Sequence, residues 1–561
     1  MKKYFFLVIT LFIFFVQPTY ALDQSVPNNK FGIHVADTSD QDLQRAADLV
    51  NSTGGKWGYI TLVIQDKDRN HDKWQQVFDK LRALHLIPII RLATSPDGPK
   101  WRRSNTDDVE SWANFLDSLR WVVKDRYIVL FNEPNHGTEW DGATDPQGYA
   151  DVALAFTNAL HGKNKDFFVM LAGLDAAAPQ APPNFMDEQT YLQEVFQSKP
   201  ELKDSIDGLS SHSYPNPGFS GSPYDSGRST IRNYQWELAM LKDLGISKDL
   251  PVFITESGWP HSHLSSDMVG EYMKTSYENV WGPDDRVRAV TPFVLNYQGE
   301  PFSQFSWVQP GGDEVYPQYS IIHQAPKLEG EPEILEKGSI IFSYFKELLV
   351  SSTYHFQLKV INLGEAIWHK DDGYQFKLDG IEDKDYFFSD IQGIKPGESQ
   401  EVDLYLKTDS KQGDDQSKLV LYKKDKKILE GREWTFKKLP LPKVQFSLSF
   451  FPKIVARQSD IEFQIFDSDE QLVYKRKEIN IKNNKGIVPE IANIALGEKY
   501  RVVVLRPYYL PRQTFVTFKK GTNYIFFKPM LPFDFDNNGK LNWGDIPAFF
   551  GNLSRLSLLM P

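Results

Sequence analysis

The stretches YIVLFNEPN (residues 127–135) and PVFITESGW (residues 251–259) decide the fold of this chain. In each stretch, a short apolar run ends at a polar segment that contains a glutamate, Glu133 in the first and Glu256 in the second. Short apolar runs bounded by turn residues are typical of parallel strands that are buried on both faces. The two glutamates are far apart in sequence, so only a closed fold brings their side chains together.

Strands of this kind alternate with amphipathic helices from Phe31 to about Leu295. Eight β/α repeats over about 250–300 residues are typical of a (β/α)8, or TIM, barrel. A doubly wound open sheet is the alternative, and it would bind its ligand at a topological switch point. The eighth helix is the least certain element, because the residues after Trp307 have no clear helical pattern. The predicted strands are residues 31–35, 57–63, 86–92, 127–132, 167–173, 206–212, 251–256 and 289–295.

After the barrel the pattern changes, and helical periodicity almost vanishes. Alternation of apolar and polar residues, as in Phe356-Gln357-Leu358, predicts antiparallel β-sandwiches. A Pro- and Glu-rich linker at 324–337 and a Pro-rich break near residue 440 separate the units. The predicted domains are the barrel at 22–323, an immunoglobulin-like β-sandwich at 338–438, and a smaller prealbumin-like or carbohydrate-binding-like β-sandwich at 439–530.

The N-terminus has the pattern of an export signal. Lys2 and Lys3 precede an apolar run, and Thr19-Tyr20-Ala21 offers small residues for a signal peptidase. The run is shorter than the roughly 20 residues that span a bilayer, so residues 1–21 are predicted to be a cleaved signal peptide and not an anchor. We therefore expect an exported protein, either secreted, periplasmic or held at the cell surface, with no stable membrane span after cleavage.

Composition excludes several classes of protein. There is no cysteine, so disulfides and thiol chemistry are impossible. The formal net charge of −11 leaves no basic excess to neutralise phosphates, which argues against a nucleic-acid partner. The histidines are scattered, and the pair His261 and His263 lacks a further metal ligand nearby in sequence. We therefore expect no cofactor for catalysis.

Glu133 and Glu256 are the candidate catalytic residues, because each ends a predicted barrel strand, where the active sites of these barrels lie. Two carboxyl groups that face each other across a pocket are what the cleavage of a glycosidic bond requires. The segments Asn132-Glu133-Pro134 and Thr255-Glu256-Ser257-Gly258-Trp259 resemble those of glycoside hydrolase clan A, the retaining (β/α)8 glycosidases, over roughly residues 31–307. The resemblance implies that Glu133 is the general acid/base and Glu256 the nucleophile.

Three further residues are predicted to support these glutamates. Asn132 precedes the acid, and the clan places there an Asn that binds the sugar 2-hydroxyl. His212 and Tyr214 end the sixth strand, where the clan often has residues that contact the substrate and the nucleophile. A rim histidine with purely structural hydrogen bonds is the alternative for His212.

Arg91, Trp259 and Trp307 complete the predicted substrate-binding set. Arg91 ends the third strand, where its charge would keep Glu256 ionised. A salt bridge at the barrel rim is the alternative role for Arg91. The two tryptophans are candidates for stacking on sugar rings, with core packing as the alternative.

Residues 534–545 read DFDNNGKLNWGD and have the spacing of an EF-hand loop. The segment 531–561 resembles a dockerin-type calcium repeat, in which Asp replaces Glu at loop position 12. The resemblance implies structural Ca²⁺. A dockerin carries two repeats and only one is visible, so a cohesin-like or cell-surface partner is left open. The predicted ligands are Asp534, Asp536, Asn538, the backbone carbonyl of Lys540, Asn542 and Asp545.

These observations predict an exported retaining β-glycosidase that hydrolyses a polysaccharide or glycan by double displacement. One alternative is a non-catalytic carbohydrate-binding or cell-surface scaffold protein on a degenerate barrel, against which the two intact glutamate motifs argue. A second alternative is a transglycosylase that uses the same two glutamates. The sugar and the linkage depend on loops beyond the strand ends, which the sequence pattern does not describe.

Overall fold

The computed structural model describes residues 25–451 and 459–551. It divides into two compact units, the first ending at Leu335 and the second beginning at Glu336. The predicted signal peptide, residues 1–21, lies outside the described residues. Among the helices that are described, none has both the length and the apolar character that crossing a membrane requires.

The first unit is a closed barrel of parallel strands. Its strands are β1 Gly32–Val35, β2 Gly58–Gln65, β3 Leu86–Ala93, β4 Arg126–Leu130, β5 Phe167–Leu171, β6 Leu209–His212, β7 Val252–Glu256 and β8 Val287–Val290. Strands β1 to β5 form one parallel sheet, and β6 to β8 form another. A bridge between Met170 and Gly208 joins β5 to the residue before β6, and a bridge between Phe31 and Val290 joins the residue before β1 to β8. The ring of strands is therefore closed, as a (β/α)8 barrel requires.

A helix follows each strand of the barrel. The helices are α1 Asp40–Val50, α2 His71–Ala83, α3 Val109–Ser118, α4 Pro146–Lys163, α5 Glu188–Ser198, α6 Asn233–Asp243, α7 Ser266–Ser276 and α8 Pro317–Gln324. Side chains cap the first turns of five of them: Ser39, Asn70, Asp145, Asp187 and Ser265. The side-chain oxygens of such caps accept hydrogen bonds from backbone N–H groups that have no partner within the helix. The eighth helix, which has no clear sequence pattern, does form.

Aromatic side chains fill the amino-terminal part of the barrel interior. Tyr59, Tyr127, Phe168 and Phe253 are each the second residue of a strand, and their neighbouring ring centroids are 4.9 to 6.3 Å apart. Strands β5 and β7 are buried at every residue, which explains the unbroken apolar sequence of β5 and of the first three residues of β7. Because this layer is filled, the carboxyl ends of the strands are left to line a cavity.

The second unit begins with two four-stranded sheets. The strand Thr353–Asn362 alternates between exposed and buried residues, as the period-2 sequence pattern predicts. Phe356 from this strand packs edge-on against Trp434 of the other sheet, with ring centroids 5.3 Å apart. The first sheet contains Gly338–Phe342, Thr353–Asn362, Ser399–Lys407 and Tyr386–Phe388, and the second contains Glu347–Leu349, Lys426–Leu439, Gly413–Lys423 and Tyr374–Asp379.

A smaller pair of sheets follows, again with a shared core. Phe446 of the three-stranded sheet and Phe463 of the five-stranded sheet are both buried, with ring centroids 5.6 Å apart. The short helix α9, Asp545–Gly551, comes after the last strand, and its Phe549 packs against Phe535. The strands are Lys485–Val488, Lys443–Ser447 and Thr522–Phe526 in the first sheet, and Leu472–Ile479, Ile461–Phe466, Lys499–Arg506, Tyr508–Thr517 and Pro532–Asp534 in the second.

Candidate active site

The carboxyl ends of the barrel strands surround one cavity of about 290 Å³. Glu256 is the last residue of β7, and Glu133 lies three residues after the end of β4. One carboxylate oxygen of Glu133 lies within 4.8 Å of one carboxylate oxygen of Glu256. The barrel thus brings together two side chains that are remote in sequence.

The loop after β4 turns Glu133 toward the cavity. Phe131 and Glu133 both have positive φ angles, 73° and 33°. Such conformations cost about 1–3 kcal/mol for residues other than glycine, and they tend to occur at functional sites. The loop is fixed by the Glu133 N–H, which donates to Gly173 O at 3.2 Å, and by the buried amide of Asn135, which donates to backbone carbonyls of Asp175 and Met186.

Glu256 is held by two donors and is ionised. Arg91 Nη1 donates to its Oε1, and the Tyr214 hydroxyl donates to its Oε2 at 3.0 Å. Burial by itself would raise the pKa of Glu256, but the positive charges of His212 and Arg91 outweigh burial and lower this pKa to about 2. At neutral pH the Glu256 side chain is therefore a carboxylate, the form in which it can act as a nucleophile.

His212 lies between the two glutamates. Its Nδ1 is 2.7 Å from Glu133 Oε1 and 3.9 Å from Glu256 Oε2. Burial lowers the pKa of His212, but the two carboxylates more than compensate, and the net shift is upward. Gly173 makes this position possible, because a Cβ atom there would lie 2.2 Å from His212 Cδ2.

Asn132 and Arg91 are also in contact. Arg91 Nη1 donates to Asn132 Oδ1 at 2.6 Å, and both side chains line the cavity. Glu133, Glu256, Asn132, Arg91, His212 and Tyr214 therefore form one connected cluster at the carboxyl ends of β3, β4, β6 and β7.

Trp259 and Trp307 do not belong to this cluster, which corrects the expectation that they stack on sugar rings. Each is only 2% exposed, and each packs into the barrel core. Trp259 Nε1 donates to Gly221 O at 2.8 Å, and its ring packs edge-on against Tyr272. A side chain without a free face offers no platform for a sugar, so both tryptophans have the alternative role of core packing.

Several cavity residues have no signal in the sequence pattern. Trp101 lies on a short hairpin after β3, and Phe293 and Phe302 lie on the segment after β8. These half-buried or exposed rings provide the aromatic faces that Trp259 and Trp307 do not. Glu139 is a third glutamate in the cavity, in a short 3₁₀ helix after Glu133. In the structure all of them follow the carboxyl ends of strands, although Phe293 lies inside the eighth strand as the sequence predicts it, at 289–295.

The segment 534–545, called the calcium loop below, gathers its aspartates around one point. Asp534, Asp536 and Asp545 each place one carboxylate oxygen within 4.8 Å of the others. Gly539 has a φ of 80°, and its N–H donates to Asp534 Oδ2 at 3.0 Å.

The donor set of the calcium loop fits a hard cation such as Ca²⁺. Asp534 is 2% exposed, and its Oδ1 has no hydrogen-bond partner among the described residues. Burial and the charges of Asp545 and Asp536 raise the pKa of Asp534. The side-chain oxygens of Asn538 and Asn542 accept hydrogen bonds from the backbone N–H groups of Lys540 and Gly544, which holds both oxygens within the loop.

The chain is similar to solved structures of glycoside hydrolases. They include a family 39 glycoside hydrolase from Bacteroides cellulosilyticus (12% identity, TM-score 0.39), which covers 69% of this chain and 82% of its own. A β-mannanase from Thermomonospora fusca (13% identity, TM-score 0.35) covers 53% of this chain and 89% of its own. An endoglucanase from Pseudomonas stutzeri (11% identity, TM-score 0.36) covers 54% of this chain and 96% of its own.

No family model and no curated protein matches the sequence. The solved structures are glycosidases, the class that the sequence resembles.

Proposed function

We propose that this protein is an exported retaining β-glycosidase that hydrolyses a polysaccharide or glycan. The observation that carries the proposal is the separation of less than 4.8 Å between carboxylate oxygens of Glu133 and Glu256. Retaining enzymes place the two carboxyl groups about 5–5.5 Å apart, whereas inverting enzymes need about 6.5–9.5 Å to admit a water molecule. The predicted signal peptide supports export.

The geometry supports a double displacement. In the first step, a Glu256 oxygen bonds to the anomeric carbon, the bond to the glycosidic oxygen breaks, and Glu133 gives its proton to that oxygen. In the second step, Glu133 takes a proton from water, the water oxygen bonds to the anomeric carbon, and Glu256 is released as a carboxylate. One water is consumed for each bond that is cleaved.

The neighbours of Glu256 support its role as the nucleophile. Arg91 and Tyr214 keep it ionised and oriented before the first step, and they receive its charge again when the glycosyl ester breaks. The exposed face of Phe302 and the half-buried ring of Trp101 fit the C–H faces of sugar rings. These two rings, called the aromatic wall below, support a carbohydrate substrate in preference to a charged small molecule, because they offer apolar faces and no charge.

The test is a panel of β-glucans, β-mannans, β-galactans and xylans with measurement of reducing sugar and product size. We expect Glu256→Gln to lose activity by roughly 10⁴-fold or more, as expected when a nucleophile is removed. Glu133→Gln should keep some turnover of aryl glycosides whose leaving groups need no proton. Glu271→Gln, an exposed glutamate of α7, is the matched control and should keep full activity.

The same panel separates the alternatives. Full activity in Glu256→Gln would contradict the proposal. Glycan binding without release of sugar would favour the scaffold protein. Product analysis at high acceptor concentration distinguishes hydrolysis from transglycosylation, because both would use the same two glutamates. Retention itself is tested by NMR of the anomeric configuration of the first product.

We also propose that the calcium loop binds Ca²⁺. Asp534, Asp536, Asn538, the Lys540 carbonyl, Asn542 and Asp545 would hold the ion, which would neutralise the three aspartates and connect the last strand to α9. The Oδ1 atom of Asp534, which is buried and has no hydrogen-bond partner among the described residues, supports this proposal. A cohesin-like or cell-surface partner for this loop stays a prediction.

A further inference from the structure

Glu139 is a third carboxyl group in the cavity, and the double displacement does not use it. It ends the 3₁₀ helix Gly137–Glu139 and lines the cavity with Glu133 and Glu256. Its hydrogen-bond donor is Asn132, whose Nδ2 lies 3.3 Å from Glu139 Oε2. Burial raises the pKa of Glu139 to about 7, with help from the charge of Glu133 and against the hydrogen bond from Asn132.

The side-chain amide of Asn132 is fixed from both ends. Its Oδ1 accepts from Arg91 Nη1 at 2.6 Å, and its Nδ2 donates to Glu139. A flipped amide would place nitrogen against the guanidinium and oxygen against the carboxylate, so both hydrogen bonds would be lost. The amide nitrogen has two N–H donors, and Glu139 takes one of them. The second remains for a ligand in the cavity.

We infer that Glu139 is a positioning residue, which orients the Asn132 amide so that its second N–H serves the bound sugar. The inference rests on the proposed function, because a sugar at Glu256 is the ligand that this N–H would reach. Arg91 donates to both Asn132 and Glu256, so Glu139 lies at one end of a continuous row of hydrogen bonds that reaches the nucleophile. A hydrogen bond to the sugar 2-hydroxyl strengthens in the transition state of glycoside hydrolysis, so its orientation affects the rate.

The kinetic test compares Glu139→Ala with Glu139→Gln in the full-length protein, on the polysaccharide of the panel that wild type cleaves best. We expect Glu139→Ala to lower kcat/KM about tenfold, mostly through kcat, because the amide loses one of its two anchors. Glu139→Gln keeps a carbonyl oxygen that accepts from Asn132, so it should recover most of the loss.

A double-mutant cycle separates positioning from a general structural role. In the Asn132→Ala background, Glu139→Ala should cost little more, since the residue that Glu139 positions is already absent. Additive losses, or no loss in Glu139→Ala of an active enzyme, would overturn the inference while leaving the proposed function intact.

A spectroscopic readout tests the contact without any substrate. The protein is labelled with ¹⁵N-asparagine, and the Asn132 side-chain signal is assigned by its loss in Asn132→Ala. We expect this signal to shift with a midpoint near pH 7 as Glu139 ionises, and to lose that shift in Glu139→Gln. The other charged groups around this amide and its partners, Arg91, Glu133, His136, His212 and Glu256, are unchanged in that variant. An identical titration in Glu139→Gln would overturn the inference even if wild type cleaved no polysaccharide.

Discussion

Two regions of this protein hold carboxylates close together, and they balance the charge in different ways. In the cavity, Glu133 and Glu256 lie beside the cationic side chain of Arg91 and the imidazole of His212, whose pKa the two carboxylates raise. In the calcium loop, no Lys or Arg side chain of the described residues forms an ion pair with the three aspartates, and burial, together with the charges of Asp545 and Asp536, raises the pKa of Asp534.

The difference shows how a protein prepares carboxylates for different tasks. Cations on the barrel strands stabilise the negative charge from one side and leave the other side of each carboxylate free to react. A metal ion occupies the coordination positions of its ligands, so it suits a structural loop better than a nucleophile. The comparison therefore predicts that barrel variants change activity, whereas calcium changes only the stability of the second unit.

Among the groups that surround Glu256, the cationic side chain of Arg91 is expected to have the largest effect on activity when it is removed. Arg91→Gln should lower kcat/KM roughly 10²–10³-fold, the usual loss for one preorganised donor at a reacting charge. Without Arg91 the pKa of Glu256 should rise from about 2 toward its ordinary value. Because Glu256 acts as a carboxylate, the acidic limb of the profile of kcat/KM against pH should then move to higher pH. The measurement is kcat/KM between pH 3 and 8.

The control for this experiment is Arg120→Gln, an exposed arginine outside the cavity, which should leave the profile unchanged. An acidic limb that does not move in Arg91→Gln would show that the arginine does not set the charge of the nucleophile, and the comparison between the two regions would fail.

A neutral donor should matter less than the cation. Tyr214→Phe removes the 3.0 Å hydrogen bond to Glu256 Oε2 but leaves the ring packing against Phe219 and Phe305. We expect kcat/KM to fall roughly 10- to 100-fold, as for the loss of a hydrogen bond to a charged group. Tyr224→Phe, at an exposed tyrosine, is the control, and wild-type kinetics in Tyr214→Phe would contradict the geometry.

The smallest effect is expected in the calcium loop, and it should be on stability. Removing Ca²⁺ with a chelator should destabilise the second unit by about 1–3 kcal/mol, and each kcal/mol should lower the midpoint of thermal unfolding by roughly 2–4 °C for a unit of this size. Calorimetry with and without Ca²⁺ measures the shift, and Asp534→Ala should abolish it.

Asp469→Ala, an exposed aspartate in a turn of the same unit, should keep the full response to Ca²⁺. Hydrolysis of a soluble substrate should not depend on the ion. If Ca²⁺ instead changed the activity and left unfolding untouched, the two regions would not be separate in function.

The carboxyl ends of seven barrel strands were predictable from sequence to within two residues, whereas the eighth strand, predicted at 289–295, already ends at Val290. The loops were not predictable. Strands that are buried on both faces show as apolar runs, and a barrel places all of their carboxyl ends on one side. This reasoning was enough to select Arg91, His212 and Glu256 as neighbours. Glu139 and Phe302 lie in loops whose path has no periodicity, so no sequence pattern selects them.

The two tryptophans and the eighth helix show where such reasoning fails. Trp259 lies three residues after Glu256, but strand alternation no longer fixes the direction of a side chain beyond the strand, and this one turns into the core. Helix α8 has only eight residues, starts with Pro317 and buries only Gln318 and Ile322, so it shows almost no helical periodicity.

A substitution at Gly173 should abolish catalytic activity without altering any reacting group. Even one methyl group at this position would push the imidazole of His212 away from both acids, while the cavity, its aromatic wall and the two motifs stayed intact. Under the proposed function, we expect such a variant to bind glycans without cleaving them.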